Sequence, residues 1–144
     1  MGNRPSPDAD CIASRYTVGM IKILIVDEEA SIRRGLRMRL NVETDFIVTG
    51  ETGDGWETLR LVRELQPDVV VTGIQLSGMD GIALTERLRH DFPNCAVIIL
   101  SLYDEPSNRE RAAKAGAIAF VSKQKPDGEL AETVRMAVSK QAFL

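Results

Sequence analysis

Short apolar runs rich in β-branched residues recur along this chain and constrain its fold more than any other feature. The clearest runs occupy Ile21–Val26 and residues 69–71 and 96–100, and weaker ones occupy residues 46–48 and 118–121. Near-continuous apolar runs of this length are typical of strands that are buried on both faces of a sheet. The sequence therefore predicts five short strands.

Stretches with helical periodicity lie between these runs. Apolar residues recur there at three- and four-residue spacings, as in the sets Ile32, Leu36 and Leu40; Leu59, Val62 and Leu65; Leu84 and Leu88; Leu130, Val134 and Val138. A further helix, rich in alanine and charge, is predicted over residues 107–115. Five strands that alternate with five helices predict an α/β fold with a parallel sheet and right-handed crossovers.

Composition narrows the class of protein. The 144 residues suit one domain, and a net charge of −3 argues against direct binding to nucleic acid. No apolar run approaches the roughly 20 residues of a membrane span, and the N-terminus lacks a signal-peptide core. Cys11 and Cys95 have neither CxxC nor metal-ligand spacing, which favours a cytoplasmic location. Residues 1–19 show no period, so we predict an N-terminal tail followed by a domain over residues 20–144.

Polar residues follow several of the predicted strands. Asp27 and Glu28 follow the first strand, Ser101 ends the fourth, and Lys123 follows the fifth. In open parallel sheets the functional crevice lies outside the carboxyl ends of the strands. Adjacent carboxylates suit Mg²⁺, whereas a lysine and a serine suit phosphoryl oxygens. This pattern predicts a pocket for an anion and a divalent metal; the alternative is that each residue lies in a solvated loop.

Four stretches, in this order and spacing, resemble the receiver domain of bacterial response regulators from about residue 21 to residue 142. They are ILIVDEE at residues 23–29, PDVVV at 67–71, GMDG at 78–81 and AGAIAFVSK at 115–123. Their local character is similar to receivers that precede LuxR-type helix-turn-helix domains. The resemblance implies a single (βα)5 domain with a doubly wound parallel sheet in the flavodoxin-like order 2-1-3-4-5.

The resemblance also implies roles for the residues at the strand ends. Asp27, Glu28 and the backbone carbonyl of Gln75 would hold Mg²⁺. Ser101 and Lys123 would meet a phosphoryl group.

A switch between two states is also implied. Phe120 matches the aromatic residue that moves with Ser101, and a sensor histidine kinase is the implied phosphoryl donor. The implied output is regulation of transcription through a DNA-binding domain that lies outside these residues.

Gly73 departs from the family pattern. It stands where the family has the aspartate that accepts the phosphoryl group, and an aspartyl phosphate requires a carboxylate oxygen. Thr72 alternates to the other face of the strand and is a poor substitute. We therefore predict that the chain does not accept phosphate and that Mg²⁺ binding is weakened. Whether Gly73 is natural or a substitution stays open at this point.

Three functions follow from these residues. The first is a non-enzymatic receiver domain in a two-component phosphorelay. The alternative is a phosphorylation-independent interaction or dimerisation module that forms a homodimer through its first and fifth helices or its fourth-helix face. The third, a small phosphohydrolase or nucleotide-binding enzyme, lacks a P-loop and a nucleophile.

Two further motifs have ordinary structural interpretations. The stretch GDGWET at residues 53–58 resembles part of a dinucleotide fingerprint, but a turn with Asp54 as a helix N-cap explains it better. The arginines at positions 33, 34, 37 and 39 are predicted to form a solvated helix face, with a partner surface as the alternative.

Overall fold

The chain folds into alternating strands and helices. A computed structural model describes residues 19–102, 105–123 and 127–142, so the predicted tail lies almost entirely outside the described residues. Its elements are β1 (Ile21–Val26), α1 (Ala30–Asn41), β2 (Phe46–Thr52), α2 (Gly55–Leu65), β3 (Val69–Thr72), α3 (Gly81–Asp91), β4 (Ala96–Ser101), α4 (Pro106–Ala115), β5 (Ala119–Ser122) and α5 (Asp127–Ala142). The predicted alternation is confirmed. None of the helices described is both long enough and apolar enough to cross a membrane.

The five strands form one parallel sheet in the order β2-β1-β3-β4-β5, as the resemblance implied. At the end of β1, Val26 lies opposite Thr52 of β2 and Thr72 of β3. At the end of β4, Ser101 lies opposite Ser122 of β5. The strands therefore end together, and the residues that follow them share one edge of the sheet.

Helices cover both faces of the sheet, which explains why the inner strands β3 and β4 are buried along their whole length, whereas the edge strand β2 (FIVTGET) is mostly half-buried. One face packs against α1 and α5 through a cluster that includes Ile23, Ile25, Val71, Ile98, Leu36, Leu40, Leu130 and Val134. The opposite face packs against α2 and α3 through Leu24, Val26, Val70, Val97, Val62, Leu84 and Leu88. A smaller cluster under α4 contains Ile82, Ile99, Ala112 and Ala115.

Cys95 belongs to the core and has no sign of a reactive site. It is buried at the start of β4, and burial raises the pKa of its thiol to about 12 because the thiolate would lose its hydration. At neutral pH this side chain is a small neutral core residue. Cys11 lies outside the described residues.

Side-chain caps fix where two helices begin. The carboxylate of Asp54 accepts hydrogen bonds from the backbone N–H groups of Trp56 and Glu57, at 2.7 and 3.1 Å. The interpretation of the GDGWET stretch as a turn with an N-cap is thus confirmed. Asp80 caps α3 in the same way by accepting from the N–H of Ala83 at 2.7 Å.

The start of α3 lies directly against the end of β3. The N–H of Gly81 donates to the carbonyl oxygen of Ile74 at 2.5 Å. A Cβ atom on Gly81 would lie 1.9 Å from the carbonyl oxygen of Gly73, a distance that no side chain tolerates. Because glycine is the only residue without a Cβ, it permits this close approach, which holds the loop between β3 and α3 beside the sheet edge.

Trp56 lies on the outside of the same loop. Its indole is 55% exposed, and the guanidinium of Arg87 lies 5.6 Å from its ring centroid. Its Cδ1 atom would lie 2.7 Å from a Cβ atom on Gly78, so the ring contacts the backbone of the loop.

Candidate functional site

A polar pocket of about 350 Å³ lies at the carboxyl ends of the strands. The structure brings together six of the seven residues that the sequence singled out, and they line this pocket: Asp27, Glu28, Gly73, Gln75, Ser101 and Lys123. Phe120 is not among the lining residues. The joint placement of these residues favours a pocket over a set of independent loop positions.

Asp27 is the buried acidic residue of this pocket. Its Oδ1 accepts a hydrogen bond from the backbone N–H of Glu29 at 3.0 Å. Its Oδ2 accepts from the Nζ of Lys123 at 2.9 Å, in an ion pair whose side chains are only 7% and 17% exposed. Each carboxylate oxygen of Asp27 is thus engaged by a donor of this chain.

Strand pairing positions the lysine. Lys123 follows the last residue of β5, and its backbone N–H donates to the carbonyl oxygen of Ser101 at 2.8 Å. Ser101 is buried at the end of the neighbouring strand β4. The side chains of Ser101 and Lys123 therefore enter the pocket from adjacent strands, whereas Glu28 and Gln75 are exposed at its rim.

Gly73 continues β3 into the pocket. Its N–H donates to the carbonyl oxygen of Val26 at 2.9 Å, so its backbone is held beside β1. A Cβ atom at this position would lie 3.1 Å from Oδ2 of Asp27. A carboxylate carried here would share the pocket with Asp27, and glycine leaves that place without a side chain.

Thr72 does not offer a substitute nucleophile. Its side chain is fully buried, and its hydroxyl donates to the carbonyl oxygen of Gly73 at 2.9 Å. It does not line the pocket. This placement agrees with the alternation expected along a strand.

Phe120 lies beside the pocket, on the side of α4. Its ring is half-buried and packs against the cluster that contains Ile99 and Ala112. The guanidinium of Arg109 lies 4.9 Å from its ring centroid. The ring therefore joins α4 to β5, and its role as a switch stays a prediction.

Sequence reasoning missed the part that Arg33 plays. Its Nη1 donates to the backbone carbonyl oxygens of Asp27 and Glu28 at 2.7 and 3.3 Å, and its Nε donates to Glu51 at 3.2 Å. The prediction of a solvated face is wrong for this residue, because these acceptors lie in the loop after β1 and on β2. Arg37 also pairs with Glu51.

Gly53 leaves room for this arrangement. A Cβ atom there would lie 3.0 Å from Nη1 of Arg33 and 3.1 Å from the carbonyl oxygen of Asp27. An acidic residue near the end of β2, followed two residues later by glycine, was the only sequence signal of the contact.

While Asp27 is paired with Lys123, the oxygen ligands that remain in the pocket do not fit a divalent cation. A hard cation takes six or more oxygen ligands and favours several carboxylates, but here one of the three family carboxylates is absent. Asp27 already accepts from an ammonium and a backbone N–H. Within the described parts of the chain, no group of three or more His, Cys, Asp or Glu side chains is placed to hold a metal.

Comparison with known proteins gives the same family for sequence and fold. The family model described as "Response regulator receiver domain" matches residues 23–135. Response regulator protein VraR of Staphylococcus saprophyticus is 30% identical over 122 residues, which are 85% of this chain and 58% of that protein. Transcriptional regulatory protein LiaR of Bacillus subtilis is 32% identical over 118 residues, which are 82% of this chain and 56% of that protein. The chain thus spans little more than half the length of these relatives.

A solved structure supports the fold assignment. The crystal structure of a two-component response regulator of the LuxR family from an Aurantimonas species superimposes with a TM-score of 0.81 at 27% identity. The match covers 84% of this chain and 86% of that one.

Proposed function

Because the chain belongs to the family of response regulator receiver domains, we propose that it is a receiver that signals without accepting a phosphoryl group. The observation that carries the proposal is Gly73 at the end of β3, beside the ion-paired carboxylate of Asp27. Covalent phosphorylation requires a nucleophile at that point, and the neighbouring hydroxyl of Thr72 is buried away from the pocket.

The consequence is a change in how the domain transmits information. In a receiver that accepts phosphate, the modified carboxylate makes new contacts with groups such as those of Ser101 and Lys123, and these contacts shift the population of states. Without that step, we propose that the output depends on constitutive protein contacts, including those with a sensor histidine kinase. The pocket would then have a structural role and no catalytic one.

The relatives support a role in transcription. LiaR is named as a transcriptional regulatory protein, and it extends well beyond the matched region. We propose that this domain acts together with a DNA-binding output domain and does not contact nucleic acid itself. The cytoplasmic location stays a prediction.

Treatment with acetyl phosphate and Mg²⁺ tests the proposal. We expect no phosphoryl adduct on the unaltered chain by intact mass spectrometry, and a hydroxylamine-sensitive adduct on Gly73→Asp, which supplies the missing carboxylate. Gly73→Asn is the matched control, because it adds a side chain of the same size without a nucleophile. A stoichiometric adduct on the unaltered chain would falsify the proposal.

The second candidate, a dimerisation module, is favoured by exposed apolar side chains on α1 and α5. Met38 and Met136 are exposed on these helices, and Val42 is exposed at the end of α1. Both helices pack on the same face of the sheet. We expect the weight-average mass in sedimentation to rise with protein concentration if this candidate holds, and to fall back towards the monomer in Met38→Glu. A strict monomer at every concentration would exclude it.

A further inference from the structure

Lys123 and Asp27 stand 96 positions apart in the sequence and form the most buried ion pair among the described residues of the pocket. We infer that the Lys123 ammonium takes the place of the divalent cation in this pocket, so that the acidic site is neutralised from within and does not bind Mg²⁺. The inference rests on the proposed function, since it assumes that no carboxylate stands at position 73.

The carboxylate of Asp27 is almost fully buried in this pocket. A carboxylate that is almost fully buried requires a counter-charge and hydrogen-bond donors to remain ionised. Lys123 provides the charge at 2.9 Å, and the N–H of Glu29 provides a donor to the other oxygen at 3.0 Å. The chain itself therefore supplies the counter-charge and the hydrogen-bond donors of this carboxylate.

Gly73 leaves the pocket with one carboxylate fewer than the family pattern has. A carboxylate there would start from a Cβ atom 3.1 Å from Oδ2 of Asp27 and would place a second negative charge beside the first. Two carboxylates at such a distance repel each other unless a cation stands between them. With glycine at position 73, the single buried carboxylate of Asp27 is balanced by the single ammonium of Lys123, so no metal is required to neutralise it.

Backbone hydrogen bonds hold both residues of the pair in place. Lys123 is held by its backbone bond to the carbonyl oxygen of Ser101. Asp27 is held by its N–H, which donates to Thr52, and by its carbonyl oxygen, which accepts from Arg33 at 2.7 Å. Since both backbones are fixed, only the side-chain torsions remain to be ordered when the two groups pair. A cation would have to displace an ammonium that is already in position.

The pair thus explains how the absence of an aspartate at position 73 removes two properties at once. Gly73 lacks the nucleophile, and it also lacks the charge that would make Mg²⁺ the better counter-ion. Glu28 remains available at the rim, but it is exposed and well hydrated, and a single carboxylate in water binds Mg²⁺ weakly.

Calorimetric titration with Mg²⁺ tests the inference on the whole chain. We expect no saturable binding to the unaltered protein at millimolar Mg²⁺. We expect Lys123→Met, which keeps the length of the side chain and removes its charge, to bind Mg²⁺ at least about tenfold more tightly. Lys22→Met is the matched control, since Lys22 lies at the opposite end of β1. Its affinity should equal that of the unaltered protein.

Either of two results would overturn the inference: Mg²⁺ binds the unaltered protein as tightly as Lys123→Met, or Lys22→Met gains as much affinity as Lys123→Met. If Lys123→Met does not fold, the nitrogen-15 NMR spectrum of the lysine ammonium groups, recorded on the unaltered protein, tests the inference without a variant. The hydrogen-bonded Lys123 signal should persist when Mg²⁺ is added, and its loss would refute the inference.

The Mg²⁺ titration and the acetyl phosphate test can give contradicting results independently of each other. An adduct on the unaltered chain with acetyl phosphate would contradict the proposed function. Tight Mg²⁺ binding without any adduct would contradict only the replacement of the cation by Lys123.

Discussion

Gly81→Ala is expected to lower the free energy of unfolding by about 3 kcal/mol or more, at the upper end of what overpacking usually costs. The added Cβ atom would lie 1.9 Å from the carbonyl oxygen of Gly73 and 3.0 Å from Cα of Ile74. Both are backbone atoms, so no rotamer change relieves the clash, and α3 must move away from β3. Urea denaturation followed by circular dichroism measures the loss.

Gly35→Ala is the matched control for this substitution. Gly35 lies on the exposed side of α1, and no heavy atom stands within 4 Å of the place of its Cβ atom. Alanine should therefore stabilise the helix by up to about 1 kcal/mol, because it restricts the unfolded chain. Equal free energies of unfolding for the two variants would contradict the close approach of α3 to β3.

Asp27→Ala is expected to destabilise the fold by about 3 kcal/mol. The substitution leaves the ammonium of Lys123 largely buried without its partner. It also removes the acceptor for the N–H of Glu29. This loss of stability is that of removing one partner of a buried ion pair and leaving the other charge unpaired. It is larger than the loss expected when both partners are replaced by neutral side chains. Chemical denaturation in the presence of a metal chelator measures it.

A double-mutant cycle isolates the pair. Asp27→Ala combined with Lys123→Met should be more stable than the sum of the single losses predicts, by about 1–3 kcal/mol, because neither charge is then buried alone. Lys22→Met combined with Asp27→Ala should be additive, since Lys22 lies at the far end of β1. Additivity within about 0.5 kcal/mol in the first cycle would show that the two side chains do not interact.

Periodicity predicted the elements because the core is regular. The inner strands are covered on both faces, so an unbroken apolar run marks each of them, and each helix buries one stripe, as Leu36 and Leu40 do in α1. The ends of elements were less certain, since the strand predicted from Ile118 begins at Ala119. Ile118 already donates its N–H to Val97 of β4, so the difference concerns where regular pairing begins.

The strand order itself came from the resemblance, since apolar runs do not record which strands are neighbours. Once parallel strands were assumed, the pocket residues followed, because every strand must end at the same edge. This reasoning explains why Asp27, Ser101 and Lys123 were found together. Phe120 came only from the resemblance, as the switch aromatic, and its ring packs under α4 beside the pocket.

Contacts made across the fold could not be predicted from the sequence. Arg33 looked like other surface arginines because its acceptors are backbone carbonyl groups, which have no signature in a sequence. Lys123 and Asp27 stand 96 positions apart, and no sequence pattern records that their side chains pair. Polar networks of this kind are set by geometry after the apolar core has fixed the strands.

The exposed indole of Trp56 gives this domain a built-in optical probe. It is the only tryptophan in the chain, and it contacts the loop that carries Gln75 into the pocket. Its fluorescence therefore comes from one known position, without the need to separate overlapping emitters or to attach a dye. Rearrangements of the rim, whether caused by substitution, by a cation or by a partner protein, become visible as changes in emission from the native chain.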